Sequence, residues 1–405
     1  MSRIVMILSN PFRPDPRVDP EAKTLSARGH QVTIVCWDRE GILPTQESRE
    51  GIRIVRVQSV KAGFGTGWRL AVRISRFWRQ AVRLAMEVQP EVVHCHDLDT
   101  LYPGWRIKKR LGCRLIYDAH EHYPTMVSLS LPAPFVRALT LWERWLTRRV
   151  DATITASTVL RDEFAGPRPV ARGHDRVLSR HRAVRCRHGN RAERPADATS
   201  RGARRPAGGL HRRFSPNRML LPMIEAADSL PHVKFHIWGD GAQRAAVEQA
   251  AAERPNVSYH GWLPSSELPR HFKAADVIFY GLRLDYPGAI YNAPNTLSCA
   301  MAAGRPVVAT DVGDLGRMVR QADCGILIGG ATPRAIAAAI EQLLEPATRA
   351  RLGSNARQAA KGPYSATAQR AQLIALYDGL GLDAERRTGV LDRRPESASA
   401  HGSSP

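Results

Sequence analysis

Short runs of apolar and β-branched residues alternate with helical stretches along the first 157 residues of the chain. The candidate strands are RIVMIL (3–8), QVTIVCW (31–37), IRIVRVQ (52–58), EVVHCH (91–96), RLIYDA (114–119) and ATITAS (152–157). Strands this short and this continuously apolar are typical of a parallel sheet that helices cover on both faces. The first helix is marked by Asp19 at its N-cap, Pro20 in its first turn and Gly29 at its C-cap.

A second alternating set begins near residue 214. Its strand candidates lie in HVKFHIWGDG, VSYHGWL, DVIFYGL, RPVVATDVG and CGILIGG. The pattern predicts an α/β protein with two Rossmann-like parallel-sheet domains that face a cleft. We assign the N-terminal domain to 1–160, and the C-terminal domain with its final helix to 214–384. The polar tail 385–405 is expected to be disordered.

Composition agrees with a two-domain globular protein. The chain has 405 residues, more than one hydrophobic core usually holds, and 43% of them are hydrophobic. It has no apolar run of the roughly 18 residues that cross a bilayer. The N-terminus MSRIVMILSN is interpreted as a core strand and not as a signal peptide. The six cysteines are scattered singly, without a CxxC pair, which favours reduced thiols. We therefore expect a cytoplasmic protein.

Residues 161–213 match neither alternating set. From 166 to 213 they hold 14 arginines against three acidic residues, about half of the chain's net charge of +21. Residues 166–213 show no apolar period of 2 or 3.6 and contain no Phe, Trp or Tyr. This composition predicts that the block cannot form the first buried strand of the C-terminal sheet, which would leave an exposed sheet edge.

Polar residues follow several predicted strands, where ligands bind in parallel α/β sheets. HCHD places His94 and Asp97 at one strand end, and DAHEHYP places His120 just past the next. His94 and His96 point the same way on a strand, but no third ligand follows at a fixed spacing, so a polar cleft lining is preferred and no metal is expected. For His120 the alternatives are a substrate contact and a structural histidine.

Two predicted helix starts in the second half suit an anion. Ser215 or Asn217 can cap a helix whose first turn carries Arg218, and backbone N–H groups with an arginine suit a diphosphate. Asn295 can cap a second helix, which stops at Gly304. Gly239, in the turn WGDG after a strand, would let a ligand approach the backbone.

The order and spacing of these motifs resemble the group 1 (family 4) glycosyltransferases, which are retaining enzymes with the GT-B fold. The resemblance covers about 1–160 and 214–380. It rests on NPFRPDPRV, VVHCHDLDTLYPGW, YDAHEHYP, HGWLPSSELPRHFKAADV and APNTLSCAMAAGRPVVATDVGDL. It implies a nucleotide-sugar donor in the C-terminal domain, an acceptor glycan or lipid on the N-terminal domain, and neither a metal nor a protein nucleophile. A role in cell-envelope polysaccharide synthesis would fit such an acceptor.

The resemblance also implies residue roles. His120 would face the transferred sugar, and Arg218 the donor diphosphate. The other expected donor-side residues are Ser215, Gly239, Asn292, Asn295, Thr296 and Cys299; those on the acceptor side are Asn10, Arg17, His94, Asp97 and Glu121.

Three features depart from the family pattern. Thr296 stands at the usual lysine, and Cys299 at the glutamate that would bind the ribose hydroxyls, a loss of about 1.5–3 kcal/mol in donor binding. Tyr291 replaces the first glutamate of the common E-x7-E pair. The third departure is the arginine-rich block, which we interpret as the product of two compensating frameshifts; the alternative is a genuine basic linker.

One helix bears on partners. In 68–86, arginines fall on one helical face and apolar residues on the other: Arg69, Arg73, Arg76 and Arg83 opposite Leu70, Ile74, Phe77, Ala81 and Leu84. The preferred interpretation is a surface helix packed on its sheet. The alternative is peripheral contact with anionic lipid at the inner face of the plasma membrane. Nucleic acid is not an expected partner.

Two other functions remain open from the sequence. A GT-B-fold isomerase of nucleotide sugars would need acid–base carboxylates in the cleft. A catalytically impaired binding protein is suggested by Cys299 and by the arginine-rich block.

Overall fold

The computed structural model describes most of the chain and divides it into two compact units. The described residues are 1–13, 15–58, 68–128, 130–165, 177–179, 206–264, 266–292, 295–330 and 332–382. Unit 1 comprises Met1–Asp118, Arg148–Ala152 and Leu373–Pro405. Unit 2 comprises Ala119–Thr147 and Thr153–Gln372. The predicted tail 385–405 lies outside the described residues, and the predicted domain bounds stay a prediction.

Unit 1 is built on a parallel sheet. Its strands are β1 (Arg3–Leu8), β2 (Gln31–Trp37), β3 (Gln46–Arg49), β4 (Ile52–Val57), β5 (Val92–His96) and β6 (Arg114–Ala119), and they run in the order β3-β4-β2-β1-β5-β6. All neighbours pair in parallel except β3 with β4. The helices are α1 (Asp19–Ala27), α2 (Trp68–Val88) and α3 (Leu98–Leu111). The predicted parallel sheet is confirmed, and β3 is a strand that the polar sequence QESR did not predict.

Helix α1 begins and ends close to the predicted positions, but its caps differ. Asp19 is the first helical residue, and Val18 precedes it without a side-chain cap. The Asp19 N–H donates instead to the carbonyl of Asp15 at 2.9 Å. Gly29, with φ of +81°, follows the helix end in the left-handed conformation that glycine adopts without strain.

Helix α2 packs its apolar face on the sheet of unit 1. Phe77 and Ala81 are fully buried, and the ring of Phe77 stacks on Trp37 at 5.0 Å. Arg76, Arg79 and Arg83 are exposed on the other face. The packing interpretation of this helix is therefore confirmed for the residues whose side chains are described. Since the apolar face is covered, a lipid contact of α2 would rest on its arginines alone.

Unit 2 contains a second parallel sheet and the remaining helices. Its first part holds α4 (Tyr123–Val127), α5 (Ala133–Thr147), β7 (Ala152–Thr155), α6 (Thr158–Ala165) and β8 (Val177–Ser179), which pairs in parallel with β7. The second part holds β9 (Pro206–Arg213), α7 (Leu220–Glu225), β10 (Lys234–Asp240), α8 (Arg244–Ala252), β11 (Val257–Tyr259), α9 (Leu268–Ala274), β12 (Val277–Tyr280), α10 (Asn295–Ala303), β13 (Val307–Thr310), α11 (Gly313–Ala322), β14 (Gly325–Ile328), α12 (Pro333–Gln342) and α13 (Pro346–Lys361). The last helix, α14 (Ala366–Gly379), begins in unit 2, and its residues from Leu373 onward belong to unit 1. The second sheet has the order β11-β10-β9-β12-β13-β14.

Helices cover both faces of the second sheet. Along β12, Val277 and Phe279 belong to one apolar cluster, whereas Ile278 and Tyr280 belong to another. This alternation follows from the period of two along a strand. The first cluster includes residues of α7, α8 and α12, and the second includes residues of α9, α10 and α11. The predicted doubly covered sheet is thus confirmed for this half of the chain.

The position of β9 corrects the prediction for the arginine-rich block. Residues Pro206–Arg213 lie in the middle of the second sheet, and β9 pairs in parallel with β10 and with β12. The predicted exposed sheet edge at this place is wrong. The physical reason is that a ladder is made by backbone groups: β10 and β12 each present N–H and C=O groups that need a partner, whatever side chains that partner carries.

Candidate functional site

The carboxyl ends of β5 and β6 bring four ionisable side chains of unit 1 together. His94 and His96 from β5, Asp118 from β6 and Glu21 from α1 are all buried, and one ligand atom of each lies within 4.8 Å of the others. His94 Nε2 lies 3.9 Å from carboxylate oxygens of both Glu21 and Asp118, and His96 Nδ1 lies 3.4 Å from Asp118 Oδ2. The Tyr377 hydroxyl lies 2.9 Å from His94 Nδ1.

This cluster contains the residue types of a metal site, but its rings are badly placed for one. The imidazoles of His94 and His96 are stacked, with centroids 4.4 Å apart and planes inclined by 20°. An imidazole lone pair lies in its ring plane, so two nearly parallel rings point side by side and not at one ion. As arranged, the four side chains fit a buried hydrogen-bonded network better than a tetrahedral ion. The absence of a metal stays a prediction.

The surroundings of His96 and Asp97 raise the pKa of each side chain. Burial opposes the charged form of His96, but the hydrogen bond and charge of Asp118 raise the pKa of His96 above its usual value. Burial and the neighbouring charge of Asp99 raise the pKa of Asp97 to about 7, against the opposing effect of Arg17. Groups that can hold or release a proton near neutrality are therefore concentrated at the ends of β5 and β6.

Asp97 is also strained. It follows β5 with φ of +68° and ψ of 162°, a positive-φ conformation that is costly for a residue with a Cβ. Its backbone N–H donates to the carbonyl of Asp118 at 2.9 Å, which fixes it between the two strand ends. Strain at a strand end, together with a raised pKa, is typical of a functional residue.

Asp15, which sequence reasoning missed, connects the N-terminal motif to this corner. Asn10 Nδ2 donates to Asp15 Oδ2 at 3.1 Å, and Arg17 donates to Asp15 through Nε at 2.8 Å and Nη2 at 2.6 Å. Arg17 Nη1 in turn lies 4.0 Å from Asp97 Oδ2. Asn10, Arg17, His94 and Asp97 were predicted for the acceptor side, and the structure brings all four into one region of unit 1.

In unit 2, Arg218 forms the centre of a second polar corner. Its guanidinium carbon lies 4.5 Å from the ring centroid of Tyr280, and the Tyr280 hydroxyl donates to Asn292 Oδ1 at 3.1 Å. Arg218 Nη1 is buried and has no hydrogen-bond partner among the described residues. Arg218 and Asn292 were both predicted for the donor side. Tyr280, which joins them, was missed because it ends an ordinary apolar strand.

Arg218 does not lie in the first turn of a helix, as the sequence predicted. Helix α7 begins at Leu220, and Arg218 forms an isolated bridge with Leu282. The predicted cap residues have other partners: Ser215 Oγ donates to Asn217 Oδ1, and the carbonyl of Asn217 accepts from Arg283 N–H at 3.0 Å. The bond from Arg283 joins Asn217 to the loop after β12. Because Asn217 has this partner, the helix begins only at Leu220.

The glycines of WGDG serve contacts within the protein. The Gly239 N–H donates to the carbonyl of Gly261 at 2.8 Å, and the Gly239 carbonyl accepts from the Tyr259 hydroxyl at 2.9 Å. A Cβ on Gly241 would lie 2.9 Å from backbone atoms of Phe214. The close approach that these glycines permit is therefore to another part of the backbone. Donor binding by Gly239 stays a prediction.

Helix α10 begins at Asn295 and ends before Gly304, as the sequence predicted. Asn295 is exposed, Thr296 is half-buried, and Cys299 is 4% exposed within the apolar cluster that also contains Tyr280. The thiol therefore contributes to the core behind Arg218. Its burial favours a packing role over a nucleotide contact.

Tyr291 has a carboxylate beside it although the chain lacks the family's glutamate there. The Tyr291 hydroxyl donates to Glu163 Oε2 at 2.7 Å, and the ring of His122 lies 4.6 Å from that of Tyr291. A Cβ on Gly313 would lie 2.0 Å from the carbonyl oxygen of Ile290, so only glycine allows this segment to lie against α11. Glu163 was missed because it lies in α6, outside every recognised motif.

His120 and Glu121 directly follow β6 and belong to unit 2. His120 is 7% exposed, whereas Glu121 is exposed. The Ala119 carbonyl before them accepts from the Ala156 N–H at 3.1 Å, which fixes the start of this loop. The roles of both side chains stay predictions.

The two parallel sheets, each with polar side chains at its strand ends, define the class: the chain has the GT-B fold of glycosyltransferases. Sucrose-phosphate synthase from Thermosynechococcus elongatus is similar over 94% of this chain and 99% of its own, with a TM-score of 0.76 and 19% identity. Anabaena HepE, solved in complex with UDP-glucose, covers 94% of this chain and 100% of its own, with a TM-score of 0.65 and 16% identity.

The chain belongs to the group 1 (family 4) glycosyltransferases. Residues 21–180 match the family described as Glycosyltransferase Family 4, and residues 209–346 match Glycosyl transferases group 1. D-inositol 3-phosphate glycosyltransferase from Thermomonospora curvata is 28% identical over 399 residues, which cover 88% of each chain. The two family matches leave 181–208 between them, a narrower gap than the block 161–213 that the sequence set apart.

Proposed function

We propose that the protein transfers a sugar from a nucleotide-diphosphate donor to a glycan or lipid acceptor, with retention of the anomeric configuration. The observation that carries this proposal is Arg218: a half-buried arginine whose buried Nη1 has no hydrogen-bond partner among the described residues, held over Tyr280 beside Asn292. A half-buried cation that has no ion pair among the described residues favours an anionic ligand, and a diphosphate offers several acceptor oxygens.

Each group in the corner has a role that its chemistry allows. Arg218 would bind the diphosphate and stabilise the charge that grows on it as the sugar leaves, which is electrostatic stabilisation of the departing group. Asn292 and Tyr280 would hold the guanidinium in place, since Tyr280 contacts both. His120 would contact the transferred sugar. HepE supports the nucleotide donor, because that relative in fold was solved with UDP-glucose.

The proposed acceptor side is the corner of Asn10, Arg17, His94 and Asp97. Asn10, Arg17 and Asp97 are partly exposed and suit hydroxyl groups, which both donate and accept hydrogen bonds. His94 is fully buried and would support this corner from within. No metal enters the proposal, since the rings of His94 and His96 do not converge on one point. Among the described residues no helix is long and apolar enough to cross a membrane.

The test is a panel of radiolabelled UDP-, GDP- and ADP-sugars incubated with the purified chain, with and without a membrane lipid extract. We expect one donor to release its nucleotide and to label an acceptor. His120→Ala should abolish transfer and leave UDP or GDP affinity nearly unchanged, and His232→Ala, an exposed histidine of unit 2, is the matched control. Epimerised donor without transfer would support the isomerase instead, and binding without turnover the impaired binding protein.

A further inference from the structure

A cavity of about 510 Å³ lies in unit 2 at the amino ends of β12 and β13. It is lined by Asp276 and Pro306, which precede these two strands, and by Ala303 and Gly304, where α10 ends. Its volume is that of an ordinary small-molecule site. The polar corner of unit 2 is at the carboxyl end of β12, at Tyr280, so the cavity lies at the opposite edge of the sheet, about 13 Å away along the strand.

One face of α13 forms another side of the cavity. The lining residues recur along this helix at spacings of three and four: Pro346, Arg349, Ala350, Gly353, Ser354 and Arg357. A Cβ on Gly353 would lie 2.6 Å from the carbonyl oxygen of Gly304, so only glycine lets α13 lie this close to the end of α10. The cavity is therefore held between two packed helices and the starts of two strands.

The charge of the cavity is positive. Three arginines line it, Arg305, Arg349 and Arg357, against one carboxylate, that of Asp276. Arg349 is the arginine that the carboxylate offsets, since Arg349 Nε lies 3.8 Å from Asp276 Oδ1. Arg349 Nη1 also donates to the carbonyl of Leu343 at 2.9 Å. Arg349 is therefore fixed within the protein, and the other two arginines carry the net charge.

Arg305 and Arg357 form no ion pair within the part of the chain that the structure describes. Arg305 Nη2 donates to the carbonyl of Lys273, and the buried Arg305 Nε has no hydrogen-bond partner among the described residues. Arg357 is exposed and lies beside Gly304, on which a Cβ would be 3.5 Å from Arg357 Cβ. An arginine N–H that is shielded from water and has no partner favours an anionic ligand.

We propose that this cavity binds a small phosphate monoester, with the phosphate group between Arg305 and Arg357. A planar guanidinium presents N–H donors in a fork that matches the oxygens of a phosphate, and two guanidinium groups offset its two negative charges. The rest of the ester would lie against Ser354, Ala303 and Ala350, which line the remaining space. The inference does not rest on the proposed function, because the cavity and the donor corner are at opposite edges of the sheet.

The experiment is isothermal titration calorimetry of the full chain at low salt, with glucose 6-phosphate as the probe. Glucose and inorganic phosphate are the comparison ligands. We expect glucose 6-phosphate to bind, inorganic phosphate to bind about tenfold more weakly because it leaves most of the cavity unfilled, and glucose to give no heat of binding.

The variants remove the two free guanidinium groups. Arg305→Gln/Arg357→Gln should raise the Kd for glucose 6-phosphate at least about tenfold, since two charge-assisted hydrogen-bond partners are lost. Arg357→Gln alone should raise it about fivefold, and because Arg357 is exposed this variant keeps its fold even where the double variant does not. Circular dichroism melts check that each variant is folded.

Two controls locate the binding. Arg334→Gln is the matched control, because Arg334 is an exposed arginine of α12 that does not line the cavity. Arg218→Ala removes the cation of the polar corner in unit 2. Both variants should leave the Kd for glucose 6-phosphate unchanged.

Four outcomes would overturn the proposal. The first is wild-type protein that gives no heat of binding with millimolar glucose 6-phosphate. The second is a Kd that Arg357→Gln leaves unchanged. The third is binding that Arg218→Ala abolishes, which would assign the phosphate to the polar corner of unit 2. The fourth is inorganic phosphate that binds as tightly as glucose 6-phosphate, which would mean that the cavity does not recognise an ester.

Discussion

The polar corners of the two units have opposite chemical character. In unit 1, the ends of β5 and β6 hold acids and imidazoles that face one another, with Asp118 between His94 and His96. In unit 2, the end of β12 holds a phenol and an amide beside an arginine, and no carboxylate is recorded in contact with Arg218 among the described residues. The same strand-end position therefore gives two different sites. The first suits neutral hydroxyl groups, and the second suits an anion.

Arg218→Ala should have the largest effect, because it removes the cation that distinguishes the corner of unit 2. A charge-assisted bond to a diphosphate contributes about 1.5–3 kcal/mol, so the Kd for UDP or GDP should rise about ten- to a hundredfold. Isothermal titration calorimetry measures it. Arg244→Ala is the control, since Arg244 is an exposed arginine of unit 2 that pairs with Asp240 and Glu248. Equal nucleotide affinities for Arg218→Ala and Arg244→Ala would show that Arg218 does not form an anion site in unit 2.

Asp97→Asn tests the proton-holding character of unit 1 through the pH dependence of stability. The pKa of Asp97 is raised to about 7 in the folded chain, above the 3.8 expected when unfolded. The folded state therefore binds the proton more tightly. Its stability contribution is fully present below about pH 4 and is lost as pH rises through 7.

Replacing the carboxyl by an amide removes that dependence. We expect Asp97→Asn to be more stable than wild type above pH 7, by no more than about 4 kcal/mol, with the difference shrinking toward pH 4. Thermal melts between pH 4 and 8 measure it. Asp162→Asn, an exposed acid of α6, should show no such trend. A constant difference across this pH range would mean that Asp97 does not hold a proton near neutrality.

Cys299→Ser should have the smallest effect on binding, because the thiol lies in the core behind the corner of unit 2. Burying a hydroxyl where a thiol packed should lower stability by about 1–3 kcal/mol. The UDP affinity should change less than about twofold, which is within 0.4 kcal/mol. A fall in affinity with unchanged melting temperature would instead place Cys299 against the nucleotide, where the resemblance puts the family's glutamate.

Strands whose apolar runs are continuous could be predicted closely from the sequence. β1, β2 and β6 have the predicted bounds, because burial on both faces selects apolar residues at most of their positions. β9 could not be predicted, since its sequence PAGGLHRR has no such run and its place is set by the backbone groups of β10 and β12. The start of α7 was missed for a similar reason: Asn217 and Met219 bond to a loop more than 60 residues away.

The residues of the candidate site also fall into two groups, those that the sequence predicted and those that only the tertiary contacts reveal. Residues at the ends of predicted strands, such as His94 and Asp97, were found because strand ends in parallel sheets are where polar residues gather. Tyr280 was missed because it ends an apolar strand, and Glu163 because its partner Tyr291 is 128 residues away along the chain. Asp15 was missed although its partners Asn10 and Arg17 are close in sequence, because no regular element predicts how the loop that holds them folds. The sequence therefore shows which edge of a sheet carries chemistry, and the tertiary contacts show which side chains meet there.

The central place of β9 has a consequence for how the chain folds during synthesis. β9 pairs with β10, which follows shortly after it, and with β12, which begins about 70 residues later. A ribosome adds about 5–20 residues per second, so the backbone groups on one edge of β9 stay unpaired for several seconds, until β12 has been synthesised. An apolar strand left open for that time would pair with other nascent chains. The sequence of β9, PAGGLHRR, has no continuous apolar run, so it offers other nascent chains little apolar surface to bury before β12 emerges.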